Sequence, residues 1–404
     1  MRASAALVLI LTLAGCAAPL DSPTSSTSVT TPGDVAPTAS TPAPPAPTPP
    51  APSTLTPAAP PPERPRFVGC SGAGPVRFEN GPMRLEDLET IIPYGLVVGA
   101  HVTPIDHMYF APPPGTPRDA FEVRAVADGV IYEIQPRDIN VDTGAARARE
   151  WRMDIAHTCT FTTYFDLITS LAPELEAQYD ATRERPGTPW EGIPVKAGQL
   201  VGRIGAQTLD FGAYDYNVTL AGFVVPEHYD YEPWKVHTVD PFPYFDEPLR
   251  SQLLAKALRT LEPLAGKIDW DVDGAMRGNW FAVGTRWYQG LDQRNYWEGH
   301  LAIVPHHLDP DLTLFSVGNW SGQARQHAIE PPFDSADVTA SSGTVKLVLH
   351  QYGTQAGRVE VFDRVEGVAL VEMTGPRLLK VELFPGRAAT DELAFGPAAR
   401  LYER

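Results

Sequence analysis

Cations are scarce in this chain. Its 404 residues carry 32 Lys and Arg against 49 Asp and Glu, a formal net charge of −17. So acidic a protein has little to neutralise a phosphate backbone, which excludes nucleic acid as a partner and makes anionic wall polymers poor long-range ones. Cysteine is rarer still, with Cys16, Cys70 and Cys159 alone. No apolar run reaches the roughly 20 residues a transmembrane helix needs. Residues 17–66 hold no aromatic residue and 16 of the 42 prolines. Such a segment cannot bury a core. It is expected to be a disordered linker, extended and partly polyproline-II, reaching on the order of 100 Å at about 3 Å per residue.

What is present begins with a targeting segment. Arg2 precedes the apolar run AALVLILTLAG, which ends in Leu13-Ala14-Gly15-Cys16. This resembles the lipobox of bacterial lipoproteins. The resemblance implies that residues 1–15 are a signal peptide, that Cys16 is lipidated, and that the membrane is a partner at the cell surface or in the periplasm. An ordinary secretory signal is the alternative. In an exported protein the two remaining thiols, Cys70 and Cys159, are expected to pair, closing a loop of about 90 residues. The rival for Cys159 is a metal site with His157.

The remaining ~340 residues exceed one ordinary core, so two domains are expected. Residues 67–247 read as β-rich. Alternation over 122–134 and 151–163, punctuated by Gly and Pro, points to antiparallel sheet. One short helix is expected at 172–182, with Pro173 in its first turn. Three stretches carry chemistry-bearing residues: 99–131 with His101, Asp106 and His107; 151–167 with His157 and Asp166; and 195–218 with Asp210 and Asp215. His and Asp at the ends of short strands suit a metal or an acid/base site. The bland alternative for His107 and His157 is a packed strand histidine.

The pieces IDHMYFAPPPGTP, VRAVADGVIYEI, DIAHTCTFTTYFDL and IPVKAGQLVGRIGAQTLDFGAYDYNV follow one another over residues 93–218. In that order they resemble the lysostaphin/LytM-type zinc peptidases that cut peptidoglycan cross-bridges. The resemblance implies a duplicated hybrid motif of antiparallel β-strands, a zinc ion and peptidoglycan as partner. Its functional residues carry over poorly. The family's His four residues before an Asp, both zinc ligands, falls on Val102 and Asp106, with His101 one residue off. A catalytic His in a Tyr-x-His falls on Asp166. The final His-x-His falls on Thr208 and Asp210. The expectation is therefore an inactive peptidase-like binding or regulatory module with no cofactor, its partner peptidoglycan or an envelope protein. The alternative is an active endopeptidase whose divalent metal is held by His101, Asp106, His107 and Asp210, with Asp166 or His157 as base.

Residues 229–245 are aromatic and proline-rich, suited to a groove or a domain junction. Residues 248–265 include a short amphipathic helical pattern. Residues 266–404 read as an independent all-β domain, a barrel or sandwich, with strands at 279–283, 296–304, 312–317, 345–352, 358–362, 367–373, 378–384 and 393–395. Gly278-Asn279-Trp280 resembles the entry of lipocalin-type barrels, which leaves small apolar ligand carriage as a weaker option. His306 to Asp311 reads as a solvated polar turn.

Overall fold

The computed structural model describes residues 67–138, 149–183, 190–292, 295–355 and 357–404. Cys16 and the linker lie outside the described residues. The protein is mainly β, and its named strands pair antiparallel in two sheets and a closed barrel. No helix among the described residues is long and apolar enough to cross a membrane.

The first region contains β1 (Thr90–Ile92), β2 (Met108–Ala111), β3 (Phe121–Arg124), β4 (Gly129–Asp138), β5 (Arg149–Thr158), β6 (Phe161–Ile168), β7 (Ser170–Leu171), α1 (Pro173–Arg183), β8 (Ile193–Val195), β9 (Leu200–Ile204) and β10 (Leu209–Asp215). Seven strands form one sheet in the order β1-β2-β10-β6-β5-β4-β8, and β3-β9-β7 form a smaller one. Helix α1 starts at Pro173, where a missing N–H costs nothing, and Glu174 and Glu176 sit in its first turn. Cys70 and Cys159 are joined in a disulfide with α-carbons 5.0 Å apart.

The two faces of the large sheet differ. Met108, Phe110, Phe161, Phe165, Leu209, Phe211 and Ala213 enter the main hydrophobic core. Tyr109, Tyr164, Asp166, Asp210 and Tyr214 alternate with them and so share the opposite face, where they too are buried. Strand β10 is buried along its whole length. A strand with carboxylates on a covered face stores polar groups that only internal partners can satisfy.

The barrel follows: β11 (Gly278–Ala282), β12 (His300–Pro305), β13 (Thr313–Trp320), β14 (Gln323–Ile329), β15 (Thr344–Gln355), β16 (Arg358–Gly375), β17 (Leu378–Pro385) and β18 (Arg400–Glu403). Neighbours in sequence pair in space, and β18 returns to β11, so no edge is left open. The expected strands at 358–362 and 367–373 are one strand, β16, irregular near Gly367. The expected strand at 393–395 is irregular chain, and the one at 296–304 begins as a 3-10 turn before β12. Of the expected connecting helix only α2 (Leu249–Leu254) forms.

Trp280, Trp320, Phe315, Met276, Met373 and Leu349 fill the barrel as one packed cluster. Trp280 is fully buried and donates its Nε1 proton to the Met276 carbonyl at 2.8 Å. Trp280 and Trp320 therefore act as barrel core and not as the lining of a carrier cavity. His306 and His307 are also buried, not solvated: His306 Nδ1 accepts the N–H groups of Leu308 (3.1 Å) and Asp309 (3.3 Å), closing its own turn.

The two regions share core. Leu301 and Ile303 point into the barrel, while Ala302 and Val304 on the same strand pack with Val97 of the first region. Phe281 and Tyr288 join the first region's core. Gly99 and Gln326 exchange two hydrogen bonds of 3.0 Å. Close approach also fixes Gly222, whose N–H bonds Asp269 at 2.9 Å; a Cβ there would meet the Asp269 carbonyl at 1.8 Å.

Candidate functional site

Three carboxylates converge on the buried polar face of the large sheet. Asp210 on β10 pairs in register with Asp166 on β6 and with Tyr109 on β2. Asp106 lies two residues before β2, and His107 sits between it and Asp210. The His107 Nδ1 is 3.8 Å from Asp106 Oδ1, and its Nε2 is 3.3 Å from Asp210 Oδ2. Neither contact is a well-formed hydrogen bond, and both ring nitrogens and Asp210 Oδ1 have no hydrogen-bond partner. Tyr109 and Tyr164 stand edge-on to the imidazole at 5.0 and 5.7 Å between ring centres.

Cations from two other elements enter this cluster. Arg137 at the end of β4 forms an ion pair with Asp166, whose other oxygen accepts the Leu167 N–H at 2.8 Å. Lys235, from the 3-10 turn Pro233–His237, is 2 % exposed and places Nζ 3.4 Å from Asp106 Oδ1. Tyr214 donates to Asp106 Oδ2 at 3.2 Å. Beside them Arg152 pairs with Asp154 at 3.0 Å, and its guanidinium stacks over Tyr164 at 4.4 Å and over Trp234 at 4.9 Å. The aromatic stretch 229–245 thus covers the polar face and delivers a lysine into it.

Burial and charge split the carboxylates. Burial alone would raise the Asp106 carboxyl, but Lys235 and His107 outweigh it and hold it well below the usual range. Asp210 is pushed up to about 7 by burial, against the pull of His107 and with the push of Asp166. Burial also raises Asp166, with Arg137 opposing. The cluster is a chain of carboxylate, imidazole and carboxylate, neutralised from within.

Of the residues the sequence pointed to, Asp106, His107, Asp166 and Asp210 come together. His101 is exposed at the rim, its ring centre 6.3 Å from that of His107. His157 stands apart. Its Nδ1 meets the Asp128 carbonyl and its Nε2 the Thr163 hydroxyl, both at 2.8 Å. A carbonyl only accepts, so Nδ1 carries the proton and Nε2 accepts from Thr163. Burial takes its pKa down to about 4. It is a satisfied strand histidine and no base for this site. Thr208 flanks β10, and Val102 is buried in the turn before Asp106. Asp215, at the far end of β10, accepts the Asn217 N–H at 2.9 Å. Sequence reasoning missed Lys235 and Arg137; the one available signal was a lone lysine inside an aromatic, proline-rich run.

A zinc centre asks for several imidazole or thiolate donors and an open position. This cluster offers one imidazole. Asp106 is held by Lys235 and Tyr214, and Asp166 by Arg137. Among the described residues no three His, Cys, Asp or Glu form a group able to hold a metal ion. The donor set does not fit zinc.

No protein-family profile matches the chain, and no curated protein does. Solved structures give distant likenesses. Csd3 of Helicobacter pylori, in orthorhombic and hexagonal crystals, is 16% and 17% identical with a TM-score of 0.24 in each, covering 45% and 46% of this chain and 40% and 39% of Csd3. This chain therefore spans about two fifths of the length of Csd3. The solution structure of lysostaphin is 13% identical with a TM-score of 0.24, covering 70% of this chain and 99% of lysostaphin. No functional assignment rests on likenesses this distant.

Proposed function

We propose that this chain is an exported envelope lipoprotein whose first region is a peptidase-like module that binds peptidoglycan without hydrolysing it. One observation carries the absence of hydrolysis: Lys235 and Arg137 occupy two of the three carboxylates where a Lewis acid would need free donors. A site already neutralised by its own cations has little left to polarise a scissile carbonyl. The disulfide between Cys70 and Cys159 suits an oxidising compartment.

Binding would use exposed groups near this cluster, where the Arg137 charge reaches Tyr296. Arg137 keeps nearly half of its side chain in solvent, and Tyr231 is exposed beside Tyr296 with ring centres 6.4 Å apart. An aromatic face beside a guanidinium suits sugar rings that carry short peptides with carboxylate ends.

Purified protein is expected to co-sediment with sacculi and to release no soluble fragments when zinc, manganese or calcium is added. The double variant Arg137→Ala/Tyr231→Ala is expected to lose most of the sedimenting fraction. Metal-dependent release that disappears in Asp210→Ala would replace this reading with an active endopeptidase. The lipid anchor has its own test. Cys16→Ser is expected to move the protein out of the membrane fraction, and equal recovery there would refute lipidation.

A further inference from the structure

The contact between Lys235 and Asp106 has a chemistry beyond charge. The two residues are 129 positions apart, both are buried, and Nζ faces Oδ1 at 3.4 Å. Tyr288 lies under the ammonium, its ring centre 5.3 Å from Nζ, and Tyr214 donates to the other carboxylate oxygen at 3.2 Å. A third acid stands close by. Glu232 and Lys235 bracket one tight turn, closed by a backbone hydrogen bond of 3.0 Å from Lys235 to Glu232. Side chains three apart in such a turn project to the same side. The Glu232 carboxyl interacts with Asp106, Lys235 and Tyr288, and burial, reinforced by Asp106, holds its pKa up.

We propose that Lys235 and Asp106 join in an intramolecular isopeptide bond, formed by the folded chain itself with Glu232 as the proton carrier. The amine nitrogen attacks Cγ of Asp106, and a new N–C bond forms. Negative charge gathers on Oδ2, where the Tyr214 hydroxyl already donates. Oδ1, on the Lys235 side, leaves as water. An ammonium and a carboxylate hold three protons on nitrogen. Two depart with Oδ1, one of them relayed through Glu232, and the third stays on the amide. Atoms and charge balance, and no oxidant or co-reactant enters.

Two features favour the reaction over a plain ion pair. Reactants fixed within contact distance act at effective concentrations of about 10⁵–10⁸ M. A buried ion pair must also meet a desolvation cost that a neutral amide avoids. The bond would tie the loop before β2 to the aromatic stretch that covers the site. In either form Asp106 is withheld from a metal, so the proposal stands apart from the question of hydrolysis.

Mass spectrometry of the full chain decides it. Trypsin acting on the reduced protein would normally cut after Lys235 and release residues 85–118 and 204–235 separately. With the bond in place, cleavage after Lys235 is blocked. Residues 85–118 and 204–250 are then expected to appear as one joined species, lighter than the sum by one water. Glu232→Gln is expected to fold, by its unchanged circular dichroism, and to yield the unjoined peptides. Unjoined peptides from the wild-type protein would overturn the proposal. A joined species in Glu232→Gln would remove Glu232 from its assigned role.

Discussion

Arg404→Ala is expected to cost about 3–5 kcal/mol, the usual loss when one partner of a buried charge pair is removed. The Arg404 side chain is 2 % exposed and lies 3.6 Å from Asp271 Oδ1. It donates to the carbonyls of Val272, Ala275 and Arg277, and its guanidinium sits 4.1 Å over the Trp280 ring. Truncation would leave the buried Ala275 carbonyl short of a donor, weaken the bonding of the part-buried Val272 and Arg277 carbonyls, and leave Asp271 without its cation. Burial already raises Asp271 to about 6 despite Arg404. The penalty should therefore be largest above pH 7 and shrink as acid protonates Asp271. Urea unfolding at pH 5 and pH 8 measures both. A loss below about 1 kcal/mol at pH 8 would mean that the residue is a bystander. Arg404→Lys should fall between, because a point charge cannot serve three carbonyls and a ring face at once.

The second large effect is a pH dependence centred on Asp210. Its folded carboxyl titrates near 7 against an ordinary value of 3.8. The folded state therefore holds a proton that the unfolded chain has released, and this contribution is fully present below about pH 4. It is lost as pH rises towards 7 and changes little beyond that. The groups facing Asp210 are His107, Asp166 and Tyr109, with Arg137 and Glu150 further out. A shift of about three units corresponds to at most ~4 kcal/mol across that window. Asp210→Asn cannot ionise, so its stability relative to wild type should rise by up to that amount between pH 4 and pH 8. A wild-type-minus-variant difference that stays flat over the same range would show that Asp210 is ionised throughout.

These predictions draw on features of unequal visibility in the sequence. The antiparallel first region was legible because its strands alternate, as in β10, where Leu209, Phe211 and Ala213 face the core. Barrel closure was legible only as one of two options, barrel or sandwich. Strand β14, QARQHAI, is polar over its first half and reads as loop, since its exposed positions gain nothing from burial. Strand β16 looked like two strands because Gly367 interrupts its apolar pattern, although the ladder continues through the irregularity. At the site, Asp106, Asp166 and Asp210 were visible as carboxylates at strand ends. Lys235 was not, because its partner lies 129 residues away and nothing local marks an inward-pointing ammonium. His157 is the packed strand histidine that the sequence allowed, since both ring nitrogens serve the sheet.

The shared core between the two regions has a consequence for recognition. Strand β12 is buried on both sides, with Leu301 and Ile303 facing one cluster and Ala302 and Val304 another that includes Val97. Two halves joined by a hinge must give up relative freedom each time they close on a ligand. Here that freedom is surrendered once, during folding. The proposed binding surface of Arg137, Tyr231 and Tyr296 would draw on elements of both regions, so its shape would be set before a partner arrives. Encounter should then be limited by diffusion and orientation alone, with weak and strong ligands differing mainly in how long they stay.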